Sequence, residues 1–234
     1  MGRKRKKTDE EIHSFDAVQP PEVKCPIHFR PKNKSQHDAY EKLERNIITF
    51  LLGPAGTGKS YLAVSYALSQ LLTNKCEKIY LTRPIIEACG EKIGFLPGSL
   101  EEKAHPYMIP LIDFLSQMIG NEKLKRFVSL GKIEIAPLSF LRGRTLNGIV
   151  IVDEAQNCTK EQLKMILTRL GEESKIIITG DPEQFDIPIG KSRICEIAER
   201  LKLLENIDLH EFDEQGIVRH PLIGEILNVF KAIE

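Results

Sequence analysis

The sequence predicts an α/β protein built on an open, mostly parallel sheet flanked by helices. Three observations carry that expectation. Short, isoleucine-rich apolar runs alternate with amphipathic segments along most of the chain, the pattern of strands joined by right-handed helical crossovers. The runs are nearly continuous rather than alternating, which suits strands buried on both faces. One of them, "IITFLLG" (47–53), passes through a glycine-rich loop directly into a helical pattern.

The elements follow in order. Residues 1–33 begin with the basic run "MGRKRKK" and end in "QPPEVKCPIHFRPKN", whose prolines oppose helix and buried strand. They are read as a flexible arm, and 34–234 as a single domain. "HDAYEKLERN" reads as a helix, "IITFLLG" as the first strand and "KSYLAVSYALSQLL" as the next helix. "KIYLT", "KIEIA", "GIVIVD" and "KIIITG" are four further strands. "EEKAHPYMIPLIDFLSQMI" is expected to be helical but broken by its prolines, and "NEKLKRFVSL" helical. "TKEQLKMILTRL" starts with Thr159 and has Gln162 three residues on, the spacing of a capping box. "NIDLHEF" supplies a sixth strand and "HPLIGEILNVFK" a last helix.

Composition narrows the classes. The 234 residues, 41% hydrophobic, are enough for one sizeable core. Formal charge is zero and the pI is near 7.0, so affinity for a polyanion has to come from local patches. Five cysteines stand scattered at 25, 76, 89, 158 and 195 with no CxxC pair, which supports neither a disulfide framework nor a four-ligand zinc site. "CPIH" spaces Cys25 and His28 as ligands, but no second pair accompanies them. No apolar stretch follows the basic run, none reaches membrane-spanning length, and Lys6 breaks the myristoylation pattern. A cytoplasmic protein without a membrane partner is expected, where the sequon at Asn157 carries no weight.

The loop "GPAGTGKS" comprises Gly53, Pro54, Ala55, Gly56, Thr57, Gly58, Lys59 and Ser60. It fits GxxxxGK[ST] with a strand before it and a helix after it. Its glycines allow backbone N–H groups to turn inward as an anion nest, and the helix adds its positive end. Lys59 can reach the β- and γ-phosphates and the Ser60 hydroxyl can coordinate Mg²⁺, so ATP and Mg²⁺ are the expected ligands. "GIVIVDEAQN" ends a strand in Asp153, placed for the Mg²⁺ shell, and Glu154, placed to orient or deprotonate a water. "IIITGDPEQFDIP" adds Gln184, whose amide can both donate and accept near the γ-phosphate.

These blocks, with "LTRPIIEACGEKIGFLPGSLEEKAHPYMIPLID", "FLRGRTLNGIVIVDEAQN" and "GIVRHPLIGEI", resemble the PhoH-like ATPases, relatives of the superfamily 1 helicases. The resemblance runs from about Arg30 to the C-terminus. It implies a RecA-like core with an extra strand between the phosphate-loop strand and the Asp-Glu strand. Asp153 and Glu154 become the Walker B pair, and Gln184 matches a helicase motif III glutamine. Gln36 is similar to an adenine-recognising glutamine, and Arg219 resembles a family arginine able to act as an arginine finger. Superfamily 1 helicases close their site between two RecA-like domains, and this chain has length for one. A homo-oligomeric ring, with a hexamer favoured, is therefore expected. Relatives fused to a PIN nuclease are longer, so no nuclease activity is expected. Arg83, Arg142 and Arg144 are candidate contacts to RNA or another single-stranded nucleic acid, although 6% aromatics and no tryptophan leave few stacking platforms.

The resemblance thus implies an ATP-hydrolysing ring that acts as a helicase or remodelling motor on RNA or single-stranded nucleic acid, and two rivals stand beside that reading. A deoxynucleoside kinase can share the Asp-Glu-Ala-Gln stretch, but its zinc-binding cysteine pairs are missing. A nucleotide-gated assembly module with low turnover is the rival from another class; the intact Glu154 argues against an inert binder. A GTPase is opposed by motif order, since "NKCE" precedes the Asp-Glu strand.

Overall fold

The computed structural model describes residues 31–85, 100–184 and 193–213. Arg219, the expected last helix, and the arm up to residue 30 lie outside the described residues. Helix α1 (Lys34–Arg45) begins where Asn33 accepts a bond from the Gln36 N–H, and β1 (Ile48–Leu52) follows. Then come α2 (Lys59–Leu72), β2 (Ile79–Thr82), α3 (Leu100–Ile119), α4 (Asn121–Ser129) and β3 (Ile133–Ile135). A 3₁₀ turn (Leu138–Leu141) leads to β4 (Ile149–Val152), α5 (Lys160–Leu167), β5 (Lys175–Gly180), α6 (Ile194–Leu201) and β6 (Ile207–Glu211).

The six strands form one sheet in the order β3-β2-β4-β5-β1-β6, and every pairing is parallel. As expected, β5 lies between the phosphate-loop strand β1 and the Asp-Glu strand β4. Both faces are covered, which is why the strand runs are continuous. Leu51, Ile149, Ile151 and Ile177 pack under α1–α4. Phe50, Val150, Val152, Ile176 and Ile178 pack under the 3₁₀ turn, α5 and α6. Each such side chain contributes roughly 1.5–3 kcal/mol by leaving water. All strand carboxyl ends therefore meet at one edge, where ligands of open α/β sheets bind.

Three local details bear on the sequence reading. The capping box forms: Thr159 Oγ1 accepts from the Gln162 N–H at 3.2 Å, and Gln162 Oε1 from the Thr159 N–H at 2.8 Å. Helix α3 is not broken, but runs on through Pro106 and Pro110. Buried Met108, Leu111 and Leu115 anchor it on the core, and such packing outweighs the lost backbone bonds. Helix α6 is an element that the strand-centred reading passes over. Its signal is in Ile194, Ile197, Ala198 and Leu201, one face at helical spacing, with Ile194 and Ala198 buried. Burial pushes the Cys76 thiol up to about 11 and the Cys158 thiol up to about 12, as suits packing groups rather than thiolate ligands.

Arg144, read as a candidate phosphate contact, forks onto the Glu134 carboxylate of β3 at 2.6 and 2.9 Å. It lies over the Tyr80 ring at 5.7 Å, and Lys78 adds a second cation at 2.8 Å. The Arg144 fork, assisted by Lys78, holds the Glu134 pKa down at about 2. A carboxylate depressed in the folded state stabilises the fold above its unfolded pKa and loses that contribution as pH falls through the folded value. Arg144→Ala is therefore expected to destabilise by about 1–2 kcal/mol at pH 7, a figure reduced for the partial exposure of the guanidinium. The deficit should shrink between about pH 4.5 and 2. Urea unfolding of both proteins at pH 7 and pH 3 checks it; an equal deficit at both would show that packing, not the ion pair, is lost.

Candidate nucleotide site

Residues 53–58 form the loop between β1 and α2. Two of its glycines are required by geometry. Gly53 has φ 138°, and a Cβ there would run into the Phe212 carbonyl. Gly58 has φ 89°, and its Cβ would stand 2.9 Å from Gln36 Nε2. The loop is fixed by its own polar groups and by β5. Thr57 Oγ1 donates to the Pro54 carbonyl at 3.0 Å, the Ala55 N–H to Asp181 Oδ2 at 2.8 Å, and the Gly53 N–H to the Gly180 carbonyl at 3.2 Å. Lys59 opens α2 with only 8% exposure, and its ammonium donates to the Gly53 and Pro54 carbonyls at 2.6 and 2.7 Å. The cation thus lies within the loop's curve.

Facing the loop are the ends of β4 and β5. Asp153, nearly buried, accepts on Oδ1 from Ser60 Oγ and from Thr179 Oγ1, both at 2.7 Å. Its N–H donates to the Thr82 carbonyl at 2.8 Å, so the backbone position is fixed. Glu154 adopts a left-handed backbone, φ 52° and ψ 39°, a conformation that costs a non-glycine residue on the order of 1–2 kcal/mol. Its Oε2 accepts from Gln156 Nε2 at 2.6 Å. Gln156 Oε1 in turn accepts from the Asp181 N–H at 3.1 Å. Gln184 ends the next turn, its N–H donating to the Asp181 carbonyl at 3.1 Å.

Together Ala55, Gly56, Gly58, Lys59, Ser60, Asp153, Glu154, Asp181 and Gln184 border one cavity of about 350 Å³. Tyr61 and Phe114, in edge contact at 6.1 Å, form its apolar side. The residues fit the groups expected there. A glycine cradle, a helix start and a lysine ammonium suit phosphate oxygens. A serine hydroxyl beside a carboxylate is the hard oxygen pair that Mg²⁺ takes, with water and phosphate completing the shell. Among the described residues no group of three or more His, Cys, Asp or Glu comes together as a metal centre, and no helix is long and apolar enough to cross a membrane.

The other expected residues divide. Gln36 is 4% exposed; its Nε2 donates to the Thr57 carbonyl at 3.0 Å and its Oε1 accepts from the Lys32 N–H at 2.9 Å. It therefore braces the loop, with both ends of its amide engaged by backbone. Arg83 stands at the same sheet edge, against Glu154. Arg142 is exposed, just past a 3₁₀ turn whose Leu138 N–H reaches the Arg83 carbonyl at 3.1 Å. Asp181 and Gln156 are site residues that the sequence reading leaves without a role. "GDPEQ" and "DEAQN" contain them, but only the fold shows that they link loop, Glu154 and β5.

A phosphate loop and an Asp-Glu strand on a parallel sheet, with one strand inserted between them, define a RecA-like P-loop NTPase core. The chain belongs to the PhoH family of PhoH-like proteins, which matches residues 28–231. It is 48% identical over 204 residues to a PhoH-like protein of Bacillus subtilis, covering 86% of this chain and 64% of that one. It is 36% identical over 203 residues to the protein PhoH of Escherichia coli, covering 85% of this chain and 57% of that one. The chain thus spans less than two thirds of these relatives' lengths. The large terminase of a thermophilic bacteriophage aligns with a TM-score of 0.51 at 12% identity, over 85% of this chain and 50% of that one, a likeness of fold alone.

Proposed function

We propose that the chain is a Mg²⁺-dependent ATPase that works in the cytoplasm on RNA or another single-stranded nucleic acid, within a ring of identical subunits, a hexamer being favoured. The observation that carries the hydrolytic part is one cavity bordered by Lys59, Ser60, Asp153 and Glu154. Bound Mg²⁺–ATP supplies the polarised terminal phosphoanhydride. The loop N–H groups and the Lys59 ammonium hold phosphate oxygens and offset their charge. Ser60 and Asp153 supply oxygens to the cation. Glu154 accepts a proton from the attacking water, and Gln184, at the cavity border, orients that water through its amide. Arg219 supplies a further cation to the transferring phosphoryl group, from its own subunit or a neighbour.

The ring and the polynucleotide rest on the family resemblance, with Arg83 and the exposed Arg142 as local support. Arg144, paired with Glu134 and with its side chain 40% exposed, is a further candidate contact. ATP turnover measured against protein concentration, with and without single-stranded RNA and beside the mass in solution, tests the whole reading. Turnover per subunit is expected to rise as rings form and again with RNA. Turnover independent of both would leave a self-contained ATPase, and absent turnover would favour the assembly module.

A further inference from the structure

Both oxygens of the Glu154 carboxylate are held. Gln156 donates to Oε2, and the Arg83 guanidinium stands 3.3 Å from Oε1. The two partners differ. Gln156 is almost wholly buried and tied to the Asp181 N–H, so it is a fixed donor. Arg83 directly follows β2, with its side chain 18% exposed. A second contact, at 3.4 Å to the Tyr107 carbonyl of α3, steadies the guanidinium from the other side. Arg83 reaches Glu154 from a second cavity of about 410 Å³, between α2, α3 and the sheet. Arg83 borders that cavity but not the nucleotide cavity, whereas Glu154 borders both. Glu154 therefore stands, with Ser60, Asp153 and Phe114, where the two spaces meet, and its Oε1 faces the Arg83 guanidinium.

A carboxylate acts on water through an oxygen with a lone pair aimed at it. A guanidinium 3.3 Å from that oxygen draws it by charge and competes with a water for it. We infer that Arg83 is a positioning residue that restrains Glu154, and that a phosphodiester of a bound single strand is the anion that draws the guanidinium away. The planar fork suits a phosphate as well as a carboxylate, and the partial exposure of Arg83 makes the exchange reachable from solvent. No bond is made or broken in it: one oxyanion replaces another on the guanidinium, and Glu154 Oε1 is freed to accept a water proton. The inference rests on the ATPase reading and gives it a means by which a strand governs hydrolysis.

The test is ATP turnover by the full chain, with and without poly(U) or poly(dT), in the parent, Arg83→Gln, Arg83→Lys, Glu154→Gln and the double variant Arg83→Gln/Glu154→Gln, the last compared with Glu154→Gln. Arg83→Gln should raise unstimulated turnover by about 2–5-fold, the worth of a partly exposed ion pair. It should also abolish the response to polynucleotide, with KM for ATP unchanged. The rise must vanish in the double variant, a non-additivity that a general loosening of the fold would not produce. Arg83→Lys keeps a cation without the planar fork and should retain part of the response; it carries the comparison if Arg83→Gln does not fold. A fall in unstimulated turnover with the polynucleotide response kept overturns the inference, as does no change in either. A parent that hydrolyses ATP but ignores both polymers overturns the phosphodiester part. A parent with no turnover overturns the ATPase reading instead, so the two failures are told apart.

Discussion

Glu154→Gln is expected to lower ATP turnover by about 10²–10⁴-fold, the range of a lost general base, while ATP still binds. The distinction from its neighbour is geometric. Asp153 is bonded to Ser60 and Thr179 and lies nearly buried, so it can serve a cation but has little access to water. The Glu154 side chain is 43% exposed on the cavity. An amide in its place keeps the size but cannot take a proton. It also turns a donor toward either Gln156 or Arg83, at a small cost to stability. Single-turnover hydrolysis beside equilibrium binding of ATP reads the two effects apart. Turnover within tenfold of the parent would remove Glu154 from the role of base and leave the water to be activated from the Asp181–Gln184 turn.

How far the sequence speaks depends on the range of the interaction. The phosphate loop, the Asp-Glu strand and the six strands are legible because each is local: an apolar run, a glycine pattern, a carboxylate at a strand end. The capping box at Thr159 and Gln162 is legible for the same reason. What is not legible is pairing between distant segments. Nothing near Arg83 names Glu154 as its partner, and nothing near Arg144 names Glu134. Arginines at 83, 142 and 144 look alike in the chain, yet one meets the Glu154 carboxylate, one remains exposed and one pairs with Glu134 of β3. Gln36 shows the same limit. An amide upstream of the loop suits base recognition by resemblance, whereas the fold sets it against the Thr57 carbonyl. Proline misleads in the opposite sense in α3, where a local rule yields to three buried side chains of the same helix.

The second large effect is expected at Lys59. Lys59→Met keeps an apolar stem of similar reach and removes the ammonium that lies within the loop. Hydrogen bonds from a charged donor contribute about 1.5–3 kcal/mol, so the dissociation constant for ATP should rise roughly 10–150-fold. The change also leaves the Gly53 carbonyl without the donor at 2.6 Å, whereas the Pro54 carbonyl keeps Thr57 Oγ1. A modest loss of stability in the free protein is therefore expected as well, and the two effects must be separated. Thermal unfolding with increasing ATP does so. A ligand that binds only the folded state raises stability by RT ln(1 + [L]/Kd), so the parent's Tm should climb with ATP while that of Lys59→Met stays nearly flat from a slightly lower start. Equal slopes would mean that the phosphates are held by the backbone nest and the α2 N-terminus alone. The Lys59 ammonium would then be a brace for the Gly53 and Pro54 carbonyls, and the charge that offsets the transferring phosphoryl group would have to come from elsewhere in the assembly.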